Sequence, residues 1–600
     1  MDRFFGRGGR AGLALAVGLG SLLVSGPSWA VRPPASGTGD DAAETFGLQG
    51  PTATKAVKPA LPTPSEKAGL SLGTVPALRL EALDRDKLLQ EDAVAGRMGR
   101  VKGLRYGVGR NLQVTVADGN WYDLAGGARL WAGEIVSTDA LGIRLHLNDV
   151  RLPAGAELAI YAPGGSDPVR GIVKSGSPLD DPDRDVELYE ASAYAKSQFW
   201  TGSFFGDRVR IEYLAPAGVA ADALPFAVDR LQHLYLDPVD RLAKSLINPK
   251  AAGSCENDVT CYPEWRDVSH AVSGIGVIGD DSIFCSGQLL NSQAQDFTPY
   301  WLTANHCLET QGEAESSEFY WFYQTAQCNG NPPSIRSVPR SRGASLLSTN
   351  PISDYTLLMV TGALPDGLYW AGWTGKAVPD GTDATAIHHP AGDYKRISFG
   401  TKANNAACYD YRGTDGLKLV RIAWSDGVTE PGSSGSGIFR SDTQQLFGQL
   451  FFGPSSCSAS AADRFDCYGE FLTTYSRIKN LLKGGSDDKL EQNDTCAKAR
   501  VLKAGNQGAI VKLTDPDWYK VSVPAHKTAD VRLGFSNAEG DIDLAAYAKC
   551  GGPAIDTSTG AHDNESVSVT NDTSKPAFYY FRVYLDSSTR NNYNVSVSIH

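Results

Sequence analysis

Positive charge is in short supply in this 600-residue chain, which carries 56 Lys and Arg against 68 Asp and Glu for a formal net charge of −12. Because nucleic-acid binding depends on clustered Lys and Arg that neutralise phosphates, this balance argues against a nucleic-acid partner. The chain also has no apolar run of membrane length, since the longest one, residues 11–24, falls short of the ~20 residues of a spanning helix. Cysteine is absent before Cys255, which excludes disulfides from the first part of the chain.

The start of the chain has the features of an export signal. Arg3, Arg7 and Arg10 precede the apolar run, and Ser28-Trp29-Ala30 offers a cleavage site after Ala30. We predict a signal peptide over residues 1–30 and a secreted protein; a buried core helix is the alternative. All ten cysteines lie between Cys255 and Cys550, and an even count in an exported protein predicts complete pairing.

High glycine (64) and proline (32) favour short strands and turns, and an all-β fold is predicted. Residues 31–75 are rich in Pro, Ala, Gly, Ser and Thr and are interpreted as a linker. Alternating strands are predicted in residues 100–236 (at 112–116, 143–147, 157–161 and 209–213), in a cysteine-rich segment at 251–482, and in a tail at 487–600. Because it lacks cysteine, the region 31–250 is interpreted as a separate unit, needed during folding and then removed.

Three stretches of the cysteine-rich segment carry candidate chemistry. Trp301-Leu-Thr-Ala-Asn-His306-Cys307 ends an apolar stretch with a histidine, and Asp354 comes just before an apolar strand, where its carboxylate can orient an imidazole. In Glu430-Pro-Gly432-Ser433-Ser434-Gly435-Ser436-Gly437, glycines around serine allow a tight turn that aims N–H groups at one point. Taken singly, these are a structural histidine, a turn acid and a loop; together they form the set that activates a serine hydroxyl.

In these sequence motifs the chain resembles the trypsin-like serine endopeptidases with a double β-barrel, and within that group the secreted bacterial lysyl endopeptidases. The matching words lie within residues 251–480: Cys255-Glu-Asn-Asp-Val-Thr-Cys261, Leu302-Thr-Ala-Asn-His-Cys307, Ser353-Asp-Tyr-Thr-Leu-Leu358, Trp370-Ala-Gly-Trp373, Ala386-Ile-His-His-Pro390, Lys395-Arg-Ile-Ser398, Gly427-Val-Thr-Glu-Pro-Gly-Ser-Ser-Gly-Ser436 and Gly453-Pro-Ser-Ser-Cys-Ser458. The resemblance implies His306 as general base, Asp354 as orienting acid and Ser434 as nucleophile. It places the oxyanion hole at the N–H groups of Gly432 and Ser434. On composition Ser433 and Ser436 also qualify, but the Gly-x-Ser-Gly frame selects Ser434.

The resemblance also bears on activation. In the digestive relatives an aspartate before the nucleophile pairs with the freed N-terminus, but here that position is Ser433, so this ion-pair switch is not expected. Latency is assigned instead to the propeptide at 31–250, which is expected to act as folding aid or inhibitor and to be removed near Lys250.

The specificity acid of the lysyl endopeptidases corresponds to Asp466, with Asp463 as rival and an exposed loop acid as the structural alternative. A buried carboxylate selects a basic side chain before the cut, because an apolar one leaves the charge unpaired. Phe451 and Phe452 depart from the resembled pattern, and a ring at Phe452 is expected to narrow or cover the pocket. Basic-residue cleavage, after Lys or Arg, is therefore the prediction; a non-basic preference and a catalytically silent β-domain adhesin are the alternatives.

The resemblance implies the disulfides Cys255–Cys457, Cys261–Cys328 and Cys285–Cys307, and leaves Cys408–Cys467 and Cys496–Cys550. The tail resembles the bacterial pre-peptidase C-terminal (PPC) domain, a small β-sandwich, through Glu491-Gln-Asn-Asp494, Asp515-Pro-Asp-Trp-Tyr519 and Gly540-Asp-Ile-Asp-Leu544. No cofactor or catalytic metal is expected. Asp541 and Asp543 are candidate calcium ligands, with a solvated strand face as the alternative.

Overall fold

Short stretches in which apolar and polar residues alternate fold into mostly antiparallel strands through most of the chain that the computed structural model describes. It describes residues 43–50, 62–97, 103–153, 155–163, 186–190, 198–220, 223–236, 252–412, 416–483, 490, 493–503, 505–512, 516–536, 541–560, 563–585 and 590–600. The predicted all-β class is confirmed. The predicted signal peptide, the processing site near Lys250 and the polar stretch at 484–489 lie outside the described residues.

The N-terminal region forms a β-rich unit whose twisted sheet has the order β3-β6-β12-β8-β9, with β5 paired to β6. Its elements are β1 Glu44–Thr45, β2 Leu48–Gln49, α1 Pro64–Lys67, β3 Ala77–Leu80, α2 Arg85–Arg97, β4 Leu104–Asn111, β5 Gly119–Asp123, β6 Arg129–Ser137, β7 Gly142–Asn148, β8 Glu157–Tyr161, β9 Val186–Glu190, β10 Phe199–Trp200, β11 Phe204–Phe205, β12 Arg208–Ala215 and β13 Ala227–Leu234. Inward-facing residues of β6, β7, β8 and β12 pack into one apolar core.

Two expectations for this region are wrong. No strand spans residues 112–116, because β4 ends at Asn111 and the Asp118 carboxylate accepts the Thr115 N–H at 2.7 Å, which closes a turn there. Part of the predicted linker is also ordered: β1 and β2 lie within it, and so does α1. Thr63 and Glu66 form a reciprocal capping box at the start of α1, which satisfies backbone N–H groups that a linker leaves to water.

The middle of the chain forms a closed β-barrel and a half-barrel. Its elements are β14 Asn257–Asp258, α3 Arg266–Ala271, β15 Val272–Ile278, β16 Asp281–Leu290, β17 Tyr300–Thr303, α4 Gln311–Ser316, β18 Glu318–Tyr320, β19 Arg340–Arg342, β20 Ala344–Asn350, β21 Tyr355–Val360, β22 Tyr369–Trp370, β23 Trp373–Thr374, β24 Asp383–His388, β25 Arg396–Ala403, α5 Ala406–Arg412, β26 Leu419–Asp426, β27 Gly437–Arg440, β28 Leu446–Phe452, β29 Phe465–Glu470 and α6 Phe471–Leu482. Strands β28-β27-β24-β25-β26-β29 close into a barrel through the β28–β29 pairing, and β19-β18-β15-β16-β17-β21-β20 form a half-barrel.

The tail is a sandwich of two sheets whose strands are antiparallel except for one parallel pair, β30 (Arg500–Val501) with β32 (Asp517–Val523). Its strands are β30 Arg500–Val501, β31 Gly505–Lys512, β32 Asp517–Val523, β33 Thr528–Phe535, β34 Ile542–Tyr547, β35 Ala554–Ser558, β36 Glu565–Thr570, β37 Ala577–Leu585 and β38 Arg590–Ile599. The sheets β30-β32-β37-β34-β35 and β31-β38-β33-β36 enclose their own apolar core, and strict alternation of buried and exposed positions in β36 shows the half-buried pattern.

Five disulfides staple the described chain: Cys255–Cys457, Cys261–Cys328, Cys285–Cys307, Cys408–Cys467 and Cys496–Cys550. These are the same pairs that the family resemblance implies. Among the described residues, no helix has both the length and the apolar character needed to cross a bilayer.

The N-terminal unit is joined to the half-barrel by a continuous sheet, because β4 pairs with β16 along one edge and with β13 along the other. Arg144 of β7 is buried at this junction and donates from Nε to the Thr201 carbonyl at 2.9 Å and from Nη2 to the Ser316 carbonyl at 2.6 Å. Burial raises the pKa of Glu318 in β18, but the charges of Arg144 and Arg342 outweigh it and hold that pKa below its ordinary value. The junction thus contains a desolvated charge cluster as well as backbone pairing.

A second contact is made by the strap, residues 43–50. Strand β1 pairs with β23 and β2 pairs with β22, in the segment that connects the two barrels. The Phe46 carbonyl accepts from Asn291 Nδ2 at 2.9 Å, and the Thr45 carbonyl accepts from Gln445 Nε2 at 3.0 Å. Because Asn291 follows the half-barrel strand β16 and Gln445 precedes the barrel strand β28, the strap contacts both barrels.

We expect Arg144→Leu to lower the free energy of unfolding of the full-length chain by about 3 kcal/mol, since it takes the Arg144 donors from the buried Thr201 and Ser316 carbonyls and removes one of the positive charges that stabilise the Glu318 carboxylate. The measurement is denaturant unfolding, with hydrogen exchange of the β4 and β16 amides to localise the loss. Arg151→Leu is the control, because the Arg151 side chain is 79% exposed beside Asp149. If the two substitutions lower the free energy of unfolding equally, the stabilising role assigned to Arg144 at the junction is contradicted.

Candidate active site

Three side chains from distant parts of the chain meet in one hydrogen-bonded row. His306 Nδ1 lies 2.8 Å from Asp354 Oδ2, and His306 Nε2 lies 2.7 Å from Ser434 Oγ. Asp354 and Ser434 are buried, whereas the His306 side chain keeps 12% of its surface exposed. The structure therefore brings together the three residues predicted from the sequence, with the imidazole at the boundary between the interior and solvent.

Asp354 contacts His306 at two points, the backbone N–H and the ring. Its Oδ1 accepts the His306 backbone N–H at 3.0 Å while Oδ2 faces the ring, and its own carbonyl accepts the Asn305 N–H at 3.0 Å. The residue has φ +48°, a left-handed conformation that aspartate tolerates better than most side chains. With a carboxylate at Nδ1, the ring carries its proton there and leaves Nε2 as acceptor for the serine hydroxyl.

The position of His306 is fixed from both sides. It lies in a 3₁₀ turn after β17, next to Cys307, whose disulfide to Cys285 ties that turn to β16. The Phe451 ring stacks on the imidazole, with 5.6 Å between centroids and an interplanar angle of 25°. These constraints hold the imidazole of His306 in one orientation.

Ser434 sits in a turn between Gly432 at φ +98° and Gly435 at φ +80°. The N–H of Ser433 donates to the Glu430 carbonyl and that of Gly435 to the Leu450 carbonyl. The N–H groups of Gly432 and Ser434 donate to no other residue in the part of the chain that the structure describes. Two donors beside the hydroxyl are thus left for a ligand oxygen, as the oxyanion-hole prediction requires.

Asp466, the predicted specificity acid, is fully buried in β29. Its Oδ2 accepts hydrogen bonds from Trp424 Nε1 at 2.6 Å, from Thr429 Oγ1 at 2.7 Å and from the Ser455 hydroxyl. Gly453 lies against it, because a Cβ at that position would come within 2.0 Å of Asp466 Oδ1. The rival Asp463 is exposed and accepts from Ser460 Oγ at 2.8 Å.

The two phenylalanines lie in one buried apolar cluster with 4.9 Å between their ring centroids, but they differ in their other neighbours. Phe451 is the extra residue of a bulge in β28, which turns it toward His306. Phe452 is fully buried and packs with the Cys408–Cys467 disulfide and with Leu419 and Phe465. The bulge separates the roles of two adjacent aromatic residues, a local irregularity that sequence alternation alone does not reveal.

Several residues at the site were not singled out from the sequence. Trp424, Thr429 and Ser455 hold Asp466, and His388 contacts the Ser433 hydroxyl at 2.8 Å. The signal in the sequence was the pair of histidines at the end of an apolar strand in Ala386-Ile-His-His-Pro390. Buried histidines there need partners, but the sequence does not tell which ones.

One group of three potential metal-ligating side chains lies among the described residues. Among the described residues, Cys255, Glu256 and Cys457 place ligand atoms close together, but the two cysteines form a disulfide and cannot act as thiolates. Asp541 and Asp543 are buried near the start of β34, so they do not lie on a solvated strand face. They do not belong to any group of metal-ligating side chains found among the described residues.

Comparisons with known proteins point in one direction. Residues 249–469 match the family model of the lysyl endopeptidase C-terminal domain, and residues 79–235 match that of the lysyl endopeptidase N-terminal domain. The chain is therefore similar to the lysyl endopeptidase family in two regions, one for each domain of that family. A lysyl endopeptidase from Pseudomonas aeruginosa is 30% identical over 310 residues, which are 49% of this chain and 65% of that relative.

Solved structures are similar at lower identity. Kallikrein-related peptidase 10 is 15% identical with a TM-score of 0.28, and the match covers 37% of this chain and 98% of that protein. A scabies mite inactivated protease paralogue is 14% identical with a TM-score of 0.26, covering 36% and 98% respectively. The double-barrel architecture is given by the strand pairing of the chain itself.

We expect Gly432→Ala to lower kcat about 100-fold, because its Cβ would meet the Gly392 nitrogen and the His389 carbonyl at 2.8 Å and shift the N–H that faces the oxyanion. Steady-state kinetics on a lysyl ester measures this. Gly381→Ala is the matched control, since Gly381 has φ +86° with nothing within 4 Å and carries only the backbone strain. A comparable kcat loss in both variants refutes a specific role for Gly432.

Proposed function

We propose that this chain is a secreted serine endopeptidase that cleaves peptide bonds after lysine through an acyl-enzyme on Ser434. The observation that carries the proposal is the hydrogen-bonded row of Asp354, His306 and Ser434, with 2.8 and 2.7 Å between the paired atoms. A binding module has no need of this set of three groups, and the family match of both domains supports the same reaction.

The geometry suits acyl transfer. Ser434 Oγ attacks the scissile carbonyl carbon while His306 Nε2 takes the hydroxyl proton, and the carboxylate of Asp354 stabilises the imidazolium that forms. The carbonyl oxygen becomes an oxyanion held by the N–H groups of Gly432 and Ser434. His306 then gives the proton to the leaving amine, and a water molecule activated by the same imidazole releases the acyl group.

The experiment that tests the reaction is labelling with an organophosphate. We expect Ser434 to be modified stoichiometrically, and both Ser434→Ala and His306→Ala to abolish the labelling and the peptidase activity. Peptide mapping identifies the modified residue. The control is Ser436→Ala, which removes the hydroxyl of a neighbouring serine and is expected to leave the labelling of Ser434 intact. A folded wild-type chain that takes up no reagent refutes the proposal and favours the silent adhesin.

Asp466 is proposed to select lysine. A substrate ammonium entering beside Gly453 meets a buried carboxylate already held by Trp424, Thr429 and Ser455, so it finds an oriented partner without reorganisation. The name of the Pseudomonas aeruginosa relative supports lysine over arginine. The alternative is a preference for a non-basic residue before the cut. It is supported by the close packing around the Asp466 carboxylate.

We expect Asp466→Asn to lower kcat/KM for substrates with lysine before the cut about 100-fold, because an amide of the same shape offers no charge to the ammonium. Substrates with an uncharged residue there are expected to lose much less. Digestion of a peptide mixture measures both, and Asp463→Asn is the control at the exposed rival. Wild-type cuts mainly after uncharged residues remove Asp466 from this role.

The first part of the precursor is proposed to comprise a signal peptide over residues 1–30 and a propeptide over residues 31–250. The pairing of β4 with β16 supports a folding role, since the N-terminal unit supplies strands to the half-barrel. The match to a lysyl endopeptidase N-terminal domain and the five disulfides support export to an oxidising compartment. The tail sandwich is proposed to be a PPC-like domain on the basis of its sequence words and its two sheets.

We expect the mature enzyme to begin close to Ala251, because Lys250 offers the peptidase a bond of its own preferred type. N-terminal sequencing of the secreted protein reads this directly, with Ser434→Ala as the control that cannot process itself. Fully active enzyme that still carries residues 100–200 covalently attached contradicts the assignment.

A further inference from the structure

The hydroxyl of Ser433, next to the proposed nucleophile, is held by a buried histidine. We propose that His388 is a positioning residue that fixes the oxyanion turn through Ser433, in the place where a charged group pairs with a freed N-terminus in the digestive relatives. The inference rests on the proposed function and adds to it the means by which residues 430–435 are kept in working shape.

The contact is short and fully desolvated. Ser433 Oγ lies 2.8 Å from His388 Nδ1, and both residues have no exposed surface. The same oxygen accepts the Glu430 N–H at 3.2 Å, so the hydroxyl proton is directed to the imidazole. One hydroxyl thus joins the start of the turn to the end of β24.

On the other side of the His388 ring, a second hydroxyl continues the series of hydrogen bonds with the same donor-to-acceptor direction. His388 Nε2 lies 3.1 Å from Ser398 Oγ, and that hydroxyl donates to the Val428 carbonyl at 2.7 Å. Because the Ser398 hydroxyl donates its proton to Val428, it accepts a hydrogen bond from His388, and the ring proton lies on Nε2. Nδ1 is then the acceptor for the Ser433 hydroxyl. The carboxylate of Glu256 lies 3.7 Å from Nε2 and favours the proton at that position.

This row acts on the groups that face the substrate. Ser433 separates Gly432 from Ser434, whose N–H groups form the proposed oxyanion hole, so a rotation at Ser433 turns both donors. Its own N–H is already bound to the Glu430 carbonyl. A buried hydrogen bond at the side chain therefore fixes the remaining freedom of the turn.

Among the described residues, the row of Ser433, His388 and Ser398 consists of side chains and ends on the Val428 carbonyl. The chain after the proposed processing site is tied to the same region by other contacts: the Gly253 N–H donates to Glu430 Oε2 at 3.0 Å, and Cys255 is bridged to Cys457. Glu256 then reaches His388. The row forms from interior side chains in a chain that still carries its N-terminal unit.

The test uses full-length enzyme with Ser433→Ala, His388→Gln and the double variant. A lysine-based peptide aldehyde is the probe, because Ser434 Oγ adds to its carbonyl carbon, the hydroxyl proton passes to His306, and the former carbonyl oxygen enters the hole. We expect kcat and aldehyde affinity to fall together, about tenfold or more, in each single variant. KM and the affinity for a lysine amide, which fills only the specificity pocket, are expected to stay within about twofold of wild type.

Non-additivity and a matched control separate positioning from general damage. If the two residues act through one contact, the double variant is no worse than the poorer single variant. Thr385→Val removes another side-chain hydrogen bond of β24, the part-buried one to Ser441 at 2.9 Å, and is expected to leave aldehyde affinity unchanged. Rates are expressed per active site titrated with the organophosphate, so loss of folded enzyme does not imitate the effect.

Two results overturn the inference: an unchanged kcat per titrated site in Ser433→Ala, or additive losses in the double variant. Equal losses of aldehyde and lysine amide affinity also refute it, since they point to a damaged pocket. Failure of the proposed function is distinct, because it shows as an unlabelled Ser434 in the wild-type enzyme.

Discussion

The two-point grip of Asp354 on His306 is the interaction on which the rest of the site depends. The carboxylate holds the backbone of the histidine with one oxygen and its ring with the other, from a buried residue in a left-handed conformation. Without it, the imidazole has neither a fixed tautomer nor a fixed direction. The half-barrel supplies both residues, so this pair is complete within one barrel, and the other barrel contributes the serine.

The meeting of the two barrels is therefore the second constraint. The Ser434 carbonyl accepts the Ser286 N–H at 2.8 Å, and the Gly432 carbonyl accepts the Ser286 hydroxyl at 2.9 Å, so one residue of β16 holds the nucleophile turn from across the boundary. Gln449 of β28 reaches the Ser353 and Asp354 carbonyls in the opposite direction. The catalytic distances result from this reciprocal set of buried hydrogen bonds, and each barrel positions a group that belongs to the other.

The sequence predicted most of the features that depend on residue type and local pattern. Alternation and turn residues indicated the β class, and the glycine-framed serine, the histidine beside a cysteine and the acid before an apolar strand indicated the three groups that meet. It did not reveal the features that depend on long-range pairing. The strap reads as a polar linker because its partners are backbone groups more than 300 residues away. The bulge that sends Phe451 to His306 and Phe452 into the interior likewise needs the facing strand to define it.

The sheet shared by the N-terminal unit and the half-barrel determines how the two pieces would behave after the proposed cleavage near Lys250. Severing one peptide bond removes none of the β4–β16 ladder, the buried Arg144 or the apolar cluster that joins Leu104, Tyr106 and Leu234 to Phe284 and Tyr320. The two pieces are then a non-covalent heterodimer held by an interface that resembles a domain core. Its dissociation uncovers an unprotected strand edge next to aromatic surface. The lifetime of the companion fragment is accordingly set by its own degradation rather than by simple departure.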